Sequence, residues 1–477
     1  MPFVTGPLPQ RLKLVHGFGA VAFGVKDSGF SFFLLPFYNL VLGVDASTVG
    51  AALAAALVID ALVDPLIGHL SDRTYTKWGR RLPWLYLAPW PLALVWTMLW
   101  SPPFTGTPGF WDIVALAVGV RLLLSACEVP SVSLVPEITD DYDDRTTLFR
   151  YRFLSGWLGG LLMMVLTFTV FLPTPQSQLQ PEGYASYGLF GAALIALSVI
   201  GSAAAQHRIV AQLPERRPAP FSITGAFAEI FDAFREKAFV IFALGGLAAY
   251  VLQGMTFSIT QYVNLYVWQF SELAFQLYPA VLFLSVVLMF VIVGPLHRRW
   301  GKPKSAALGA LVGLAFYCSP YVFYLAGAWP TVGTTASTAL LYGFLVCANT
   351  ASVVAIISAT SMVAEIVEAF EERTGQRAEG TFYAGNWLVQ KCATGGGILL
   401  TSLIVQSIDL APGTPQAEVA PETVRQLVWL FMLAATVLAS IAAFWLARFP
   451  ISREQHEARV AARRGRPAPP APATADP

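Results

Sequence analysis

Apolar residues in this chain do not alternate with polar ones. They run in blocks of about twenty or more residues, each closed by a short polar break, and about 20 is the length a helix needs to cross the hydrocarbon core of a bilayer. Twelve such blocks are read near 15–42, 47–71, 83–101, 110–135, 150–172, 187–207, 238–268, 276–296, 305–327, 333–364, 380–408 and 424–447. The pattern predicts an all-α polytopic membrane protein with twelve transmembrane helices.

The breaks are not equivalent. Arg73, Lys77, Arg80 and Arg81 follow span two, and Arg145 and Arg150 follow span four. Arg208, Arg216, Arg217, Arg235 and Lys237 follow span six, Arg298, Arg299, Lys302 and Lys304 follow span eight, and Arg373 and Arg377 follow span ten. The odd-numbered breaks, such as GVDAS, SPPFTGTPG and AGAWPT, contain no Lys or Arg. Positive charge stays on the cytoplasmic side, so both termini and the even-numbered connections are expected there, in an inner (plasma) membrane.

The long connection at 208–237 divides the spans into an N-terminal half (1–207) and a C-terminal half (238–448), followed by a tail at 449–477 expected to be disordered. Within the connection, FSITGAFAEIFDAFREK reads as an amphipathic interfacial helix. The halves repeat: EITDDYDDRT (Glu137 to Thr146) matches EIVEAFEERT (Glu365 to Thr374), and Trp78-Gly79-Arg80 matches Trp300-Gly301-Lys302. Two parallel six-span repeats about a central cavity are the architecture of a major facilitator fold.

Composition agrees: 56% of the residues are hydrophobic and 12% charged, against about 25% charged in a soluble domain. A net charge of +1 gives no reason to expect nucleic acid as a partner. The four cysteines lie inside predicted spans without metal-ligand spacing and read as buried thiols. The apolar run after MPFVTGPLPQRLKLVHG continues at full spanning length, so a cleaved signal is not expected.

Few charges remain at bilayer depth: Lys26, Asp27, Asp60, Asp64, Arg121, Glu128, Arg152 and Lys391. An ionised group there is costly unless it faces a cavity, a partner or a bound ion. Asp60 and Asp64 are one helical turn apart and share a face; Arg121, Ser125 and Glu128 share a face of span four. Asp60, Asp64 and Glu128 with the Ser125 hydroxyl would make an oxygen-rich site for a hard cation such as Na+, or a carboxylate cluster that shares a proton. The alternative pairs the acids with Lys26, Arg121 and Arg152 and binds no ion. Lys391, in NWLVQK before CATGGG, would contact an anionic or hydroxyl-bearing group, or reach an acid in the other half. The loop charges Asp72, Arg73, Arg80, Arg81, Asp144, Arg145, Glu372 and Arg373 read as a cytoplasmic latch, or gate.

DPLIGHLSDRTYTKWGRRLPW, VPEITDDYDDRTTLFRYRF and EERTGQRAEGTFYAGNWLVQK together resemble the glycoside–pentoside–hexuronide:cation symporters, from about Gly17 to Leu400. The resemblance implies a cation site at Asp60, Asp64, Ser125 and Glu128, and sugar contacts from Lys26, Asp27, Glu128 and Arg152, and it matches Lys391 to the family's lysine of span eleven. Arg121 and Lys391, charged at depth, join the expected substrate set. Two positions depart from the melibiose carrier: Glu128 stands for an aspartate, and Val132 for a tryptophan that packs on the sugar ring. The broader group includes sodium-dependent lysophospholipid symporters. Aromatic residues Phe257, Tyr262, Tyr266 and Trp268 would suit an acyl chain, or serve only in helix packing.

The expected function is symport of a sugar-class solute with Na+ or H+, with an amphiphile such as a lysolipid as the alternative substrate. No cofactor beyond the coupling ion is expected, and the working unit is expected to be a monomer in the lipid bilayer. An enzyme would need catalytic groups at depth, whereas His16, His69, His207, His297 and His456 fall at predicted cytoplasmic ends or in the tail.

Overall fold

The computed structural model describes residues 6–211, 232–375, 378–408 and 410–450. Arg216, Arg217, Arg377, the tail beyond residue 450 and all but the end of the expected interfacial helix lie outside those ranges. Among the described residues ten helices are long and apolar enough to cross a membrane. The 54-residue helix Glu272–Leu325 is two spans merged, because Gly301 sits between them with φ 73°. A further span is divided at Ala88 into Leu82–Leu87 and Pro89–Trp100. The twelve expected spans are therefore present.

In chain order they are α1 (Gln10–Val41), α2 (Ala46–Arg73), α3 (Leu82–Leu87 with Pro89–Trp100) and α4 (Phe110–Ser133). Next come α5 (Tyr142–Leu166), α6 (Pro181–Val210) and α7 (Lys237–Val267). The merged Glu272–Leu325 supplies α8 and α9, and α10 (Thr335–Thr374), α11 (Glu379–Ser407) and α12 (Pro421–Ala447) complete the set.

Several helices outrun the apolar blocks that predict them, because caps rather than hydropathy set their ends. Asp141 caps α5 by accepting from the Asp144 N–H at 2.8 Å, so the helix starts eight residues before the apolar block begins. Thr334 caps α10 through the Ser337 N–H, and Gly375 closes that helix in the left-handed conformation at φ 71°. The two copies of the acidic repeat consequently differ: Glu365–Thr374 is the last part of α10, whereas Glu137–Thr146 breaks at extended Thr139 before α5 starts. The turn glycines of the other repeat do correspond, with Gly79 at φ 84° and Gly301 at φ 73°.

Both described ends lie on one side of the bundle, the terminal face; the opposite side is the distal face. The halves meet along α2 against α11 and α1 against α7. Small residues set that seam: a Cβ on Gly50 would fall 2.0 Å from Ser402 Oγ, and one on Gly395 would fall 3.2 Å from Ala54 Cα. The CATGGG run thus brings α11 close both to α2 and to α7, where Gly397 faces the Val251 carbonyl. Of the cysteines, Cys127 is buried as expected, Cys318 and Cys392 are half-buried, and Cys347 is exposed on a bilayer-facing surface. That last position corrects the expectation of a buried thiol: a span needs apolar residues on its lipid side as well.

Glycine at a close approach should matter far more than glycine in open space. A Cβ on Gly24 would lie 1.7 Å from the Gly156 carbonyl of α5, whereas nothing lies within 4 Å of one on Gly343. Gly24→Ala is expected to lower stability by about 2 kcal/mol, and Gly343→Ala to be neutral. Thermal unfolding in detergent, followed by tryptophan fluorescence, checks this; equal midpoints for the two variants would show that α1 and α5 do not need the contact.

Candidate functional site

The apolar stretch before Asp60 carries α2 to mid-membrane, where Asp60 is 3% exposed. Arg121 of α4 donates to Asp60 Oδ2 through Nε (3.0 Å) and Nη2 (2.9 Å), and packs over the Phe30 ring. Lys391 of α11 reaches the same oxygen at 2.8 Å and also pairs with Asp64 Oδ2. Ser125 Oγ stands 3.1 Å from Asp60 Oδ1 and 2.7 Å from Asp64 Oδ1, so its one proton goes to either carboxylate. Two acids, two cations and a hydroxyl close an almost neutral cluster across the seam. Of the readings open for Lys391, the structure shows the one in which it reaches acids of the other half.

The remaining charges gather beside this cluster. Lys26 and Asp27 pair with each other, and the Asp27 side chain is 66% exposed. Arg152 is buried over the Phe23 ring and donates through Nη1 to Ser131 Oγ at 2.5 Å. Glu128 makes no hydrogen bond or ion pair among the described residues, and it faces the charges of Lys26, Asp27, Arg152 and Lys391. The expected site of three carboxylates is therefore not assembled in this conformation. Asp60 and Asp64 come together, Glu128 stays with the Lys26 group, and among the described residues no three His, Cys, Asp or Glu side chains are grouped to hold a metal ion. The reason is electrostatic: the Lys391 ammonium sits between Asp60 and Asp64 and supplies the positive charge they require.

The seam is closed from this level to the distal face. Among the described residues its cross-half hydrogen bonds and ring contacts lie there, including Phe32 on Phe257 with centroids 5.0 Å apart and Phe168 on Phe275 at 5.2 Å. One turn from Lys391 toward the terminal face, Trp387 is 54% exposed. Among the described residues no cross-half hydrogen bond or ring contact lies on the terminal side of this level, so the described contacts close the seam on the distal side alone. Tyr262, Tyr266 and Trp268 are at most 2% exposed within distal packing and Phe257 stacks on Phe32, so these aromatics take the packing alternative here.

Asp72, Arg80, Arg81, Asp144 and Arg145 bond within their own half. Arg81, 6% exposed, donates through Nε to Glu137 Oε1 (3.2 Å) and through Nη1 to Ser71 Oγ (2.5 Å), and pairs with Asp72. Arg80 reaches Glu137 at 3.8 Å. Asp144 holds Lys13 at 2.7 Å and accepts from the Leu8 N–H, whereas Arg145 binds the Thr139 carbonyl and Asp140 near its own helix start. In the other half Lys302 pairs with Glu365 at 2.9 Å, and Arg373 with Glu236. Arg73 ends α2, and Glu372 is exposed near the end of α10. Glu137 and Glu365 are ion-pair anchors that the sequence reading passed over, although each opens its copy of the acidic repeat.

The sequence model of the family described as MFS/sugar transport protein matches residues 15–453. An uncharacterized symporter of Synechocystis sp. is 28% identical, over 93% of this chain and 94% of that protein. An isoprimeverose transporter of Lactiplantibacillus pentosus is 30% identical over 33% of each chain. Among solved structures, a bacterial homolog of the lysosomal transporter Spinster, inward-facing and without ligand, superimposes with a TM-score of 0.65 at 15% identity, covering 94% of this chain and all of that one.

The contribution of the cross-half cluster is open to a double-variant cycle. Lys391→Met leaves two like charges facing each other and is expected to destabilise the protein on the order of 2 kcal/mol, discounted for the partial exposure of Lys391 and Asp64. Adding Asp64→Asn should restore part of that loss. Strictly additive losses in thermal unfolding would mean that Lys391 and Asp64 are not energetically coupled.

Proposed function

The chain belongs to the MFS/sugar transport protein family, and from that premise we propose that it carries a sugar-class solute across the membrane together with a cation. The observation that carries the reading is the Lys391 ammonium held between Asp60 and Asp64 at the inner end of the closed seam. A cation, Na+ or H+, competes with that ammonium for the two carboxylates. With the cation on Asp60, Asp64 and the Ser125 hydroxyl, Lys391 is released toward the cavity, and Glu128 can close in as a third carboxylate. Arg121, bonded twice to Asp60, holds that carboxylate in place rather than touching solute.

The substrate set is Lys26, Asp27, Glu128, Arg152 and the freed Lys391. These groups offer charge-assisted donors and acceptors on one wall of an open cavity, which suits a solute with many hydroxyls. The name of the Lactiplantibacillus pentosus relative, an isoprimeverose transporter, supports the sugar class over a lysolipid. Each ligand then improves the site of the other, which is all that coupling requires.

The distribution of Lys and Arg supports a cytoplasmic terminal face, in an inner (plasma) membrane. By that orientation the structure is inward-facing, with residues 1–207 and 238–448 rocking as two bodies joined by 208–237, the tail at 449–477 and the working unit a monomer. The ion pairs of Arg81 with Asp72 and Glu137, and of Lys302 with Glu365, keep the terminal end of each half rigid during that motion.

Uptake into proteoliposomes tests the reading with a panel of mono- and disaccharides and a lysolipid, under Na+ and under pH gradients. Gradient-dependent accumulation of a saccharide is expected, with at least a ten-fold loss in Asp64→Asn. Uptake indifferent to both gradients would remove symport; uptake of the lysolipid alone would reverse the substrate class.

A further inference from the structure

We infer that Asn39, Tyr262, Gln178 and Gln261 form the lock that shuts the distal side of the transport pathway, and that the lock is made of neutral groups. Tyr262 Oη on α7 donates to Asn39 Oδ1 on α1 at 2.9 Å, and Asn39 Nδ2 donates to the Val44 carbonyl at 2.9 Å. Next to Tyr262, Gln261 donates to Gln178 Oε1 in the connection between α5 and α6. All four side chains are at most 4% exposed, and both pairs join the N-terminal half to the C-terminal half. A further cross-half polar contact at that face, the Ser47 N–H to Gln406 Oε1 at 3.5 Å, is also neutral.

Local backbone places these groups at the seam. Phe37–Val41 and Val263–Val267 are wide five-residue π turns at the distal ends of α1 and α7, and Asn39 lies in the first while Tyr262 abuts the second. Such turns occur frequently at functional sites, where they re-aim a side chain. Two cavities of about 220 Å³ flank the lock: one is lined by Asn39, Asp45 and Gln406, the other by Gln176, Tyr266 and Gln416.

The energetics suit a gate that must open in every cycle. A buried charge pair that parts leaves a large desolvation penalty, whereas a neutral hydrogen bond exchanged for water is worth only about 1 kcal/mol net. With water already in reach from the flanking cavities, the lock parts at a cost that ligand binding can offset. Neutral partners are not screened by ions, so closure of the distal side should be indifferent to salt.

The inference rests on the proposed rocking cycle, and its test needs no substrate. Cysteines introduced by Ser101→Cys and Ala328→Cys, both exposed at the distal ends of opposite halves, carry spin labels in a chain whose Cys127, Cys318, Cys347 and Cys392 are replaced by alanine. Double electron–electron resonance in nanodiscs then reads the population with separated distal ends. Tyr262→Phe and Gln261→Leu are each expected to raise it about five-fold, the factor that one net hydrogen bond corresponds to. Tyr266→Phe is the control, because it loses an equivalent bond to the Thr414 carbonyl inside one half, and it should match the parent. Parent-like distances in both folded lock variants overturn the lock, as does an equal shift in Tyr266→Phe. Uptake by the unlabelled protein judges the transport reading separately, so lock variants that shift beside a parent that transports nothing would leave the lock standing and remove symport.

Discussion

Ionised side chains at bilayer depth must find a partner within the protein, and in this molecule the partners lie in different halves. Asp60 takes Arg121 from its own half and Lys391 from the other, and Asp64 shares that lysine. The requirement reaches well beyond the pair. It fixes which face of α2 meets α11, which demands small residues at Gly50 and Gly395, and it leaves Glu128 facing the remaining charges across the cavity. A single ammonium thus serves both as structural counter-ion and as the charge that an entering cation would displace.

The two sides of the seam use different chemistry. Toward the terminal face, ion pairs such as Arg81 with Glu137 and Lys302 with Glu365 brace each half internally, in loops and helix ends where charge is cheap. Toward the distal face, glycines, aromatic rings and amides hold the halves together, where an ion pair would be difficult to separate repeatedly. Rigid halves joined by a separable contact are what a rocking movement needs.

Much of the fold was legible in the residues because the bilayer imposes length and polarity in simple units. Apolar blocks of spanning length gave the twelve helices, and the long connection at 208–237 set six of them on either side. The misreadings came where hydropathy is silent. Capping by Asp141 starts α5 in a polar stretch, eight residues ahead of the apolar block, whereas the basic break around Gly301 had already separated spans eight and nine. At the site, Asp60, Asp64 and Lys391 stood out because charge is rare in apolar runs. Asn39, Gln178 and Gln261 did not, since an amide in or beside a span costs less and attracts less notice.

What the sequence determined by itself was therefore the kind of protein, the number of spans and the short set of charges that had to be explained. Periodicity and charge cost act locally, so they can be read one segment at a time. What only the tertiary structure decided was pairing: that Lys391 lies between Asp60 and Asp64, that Glu128 stands apart from them, and that the distal side is the closed one. Those contacts join residues more than 200 positions apart, and nothing in the local pattern specifies which of several equally charged neighbours a side chain will meet.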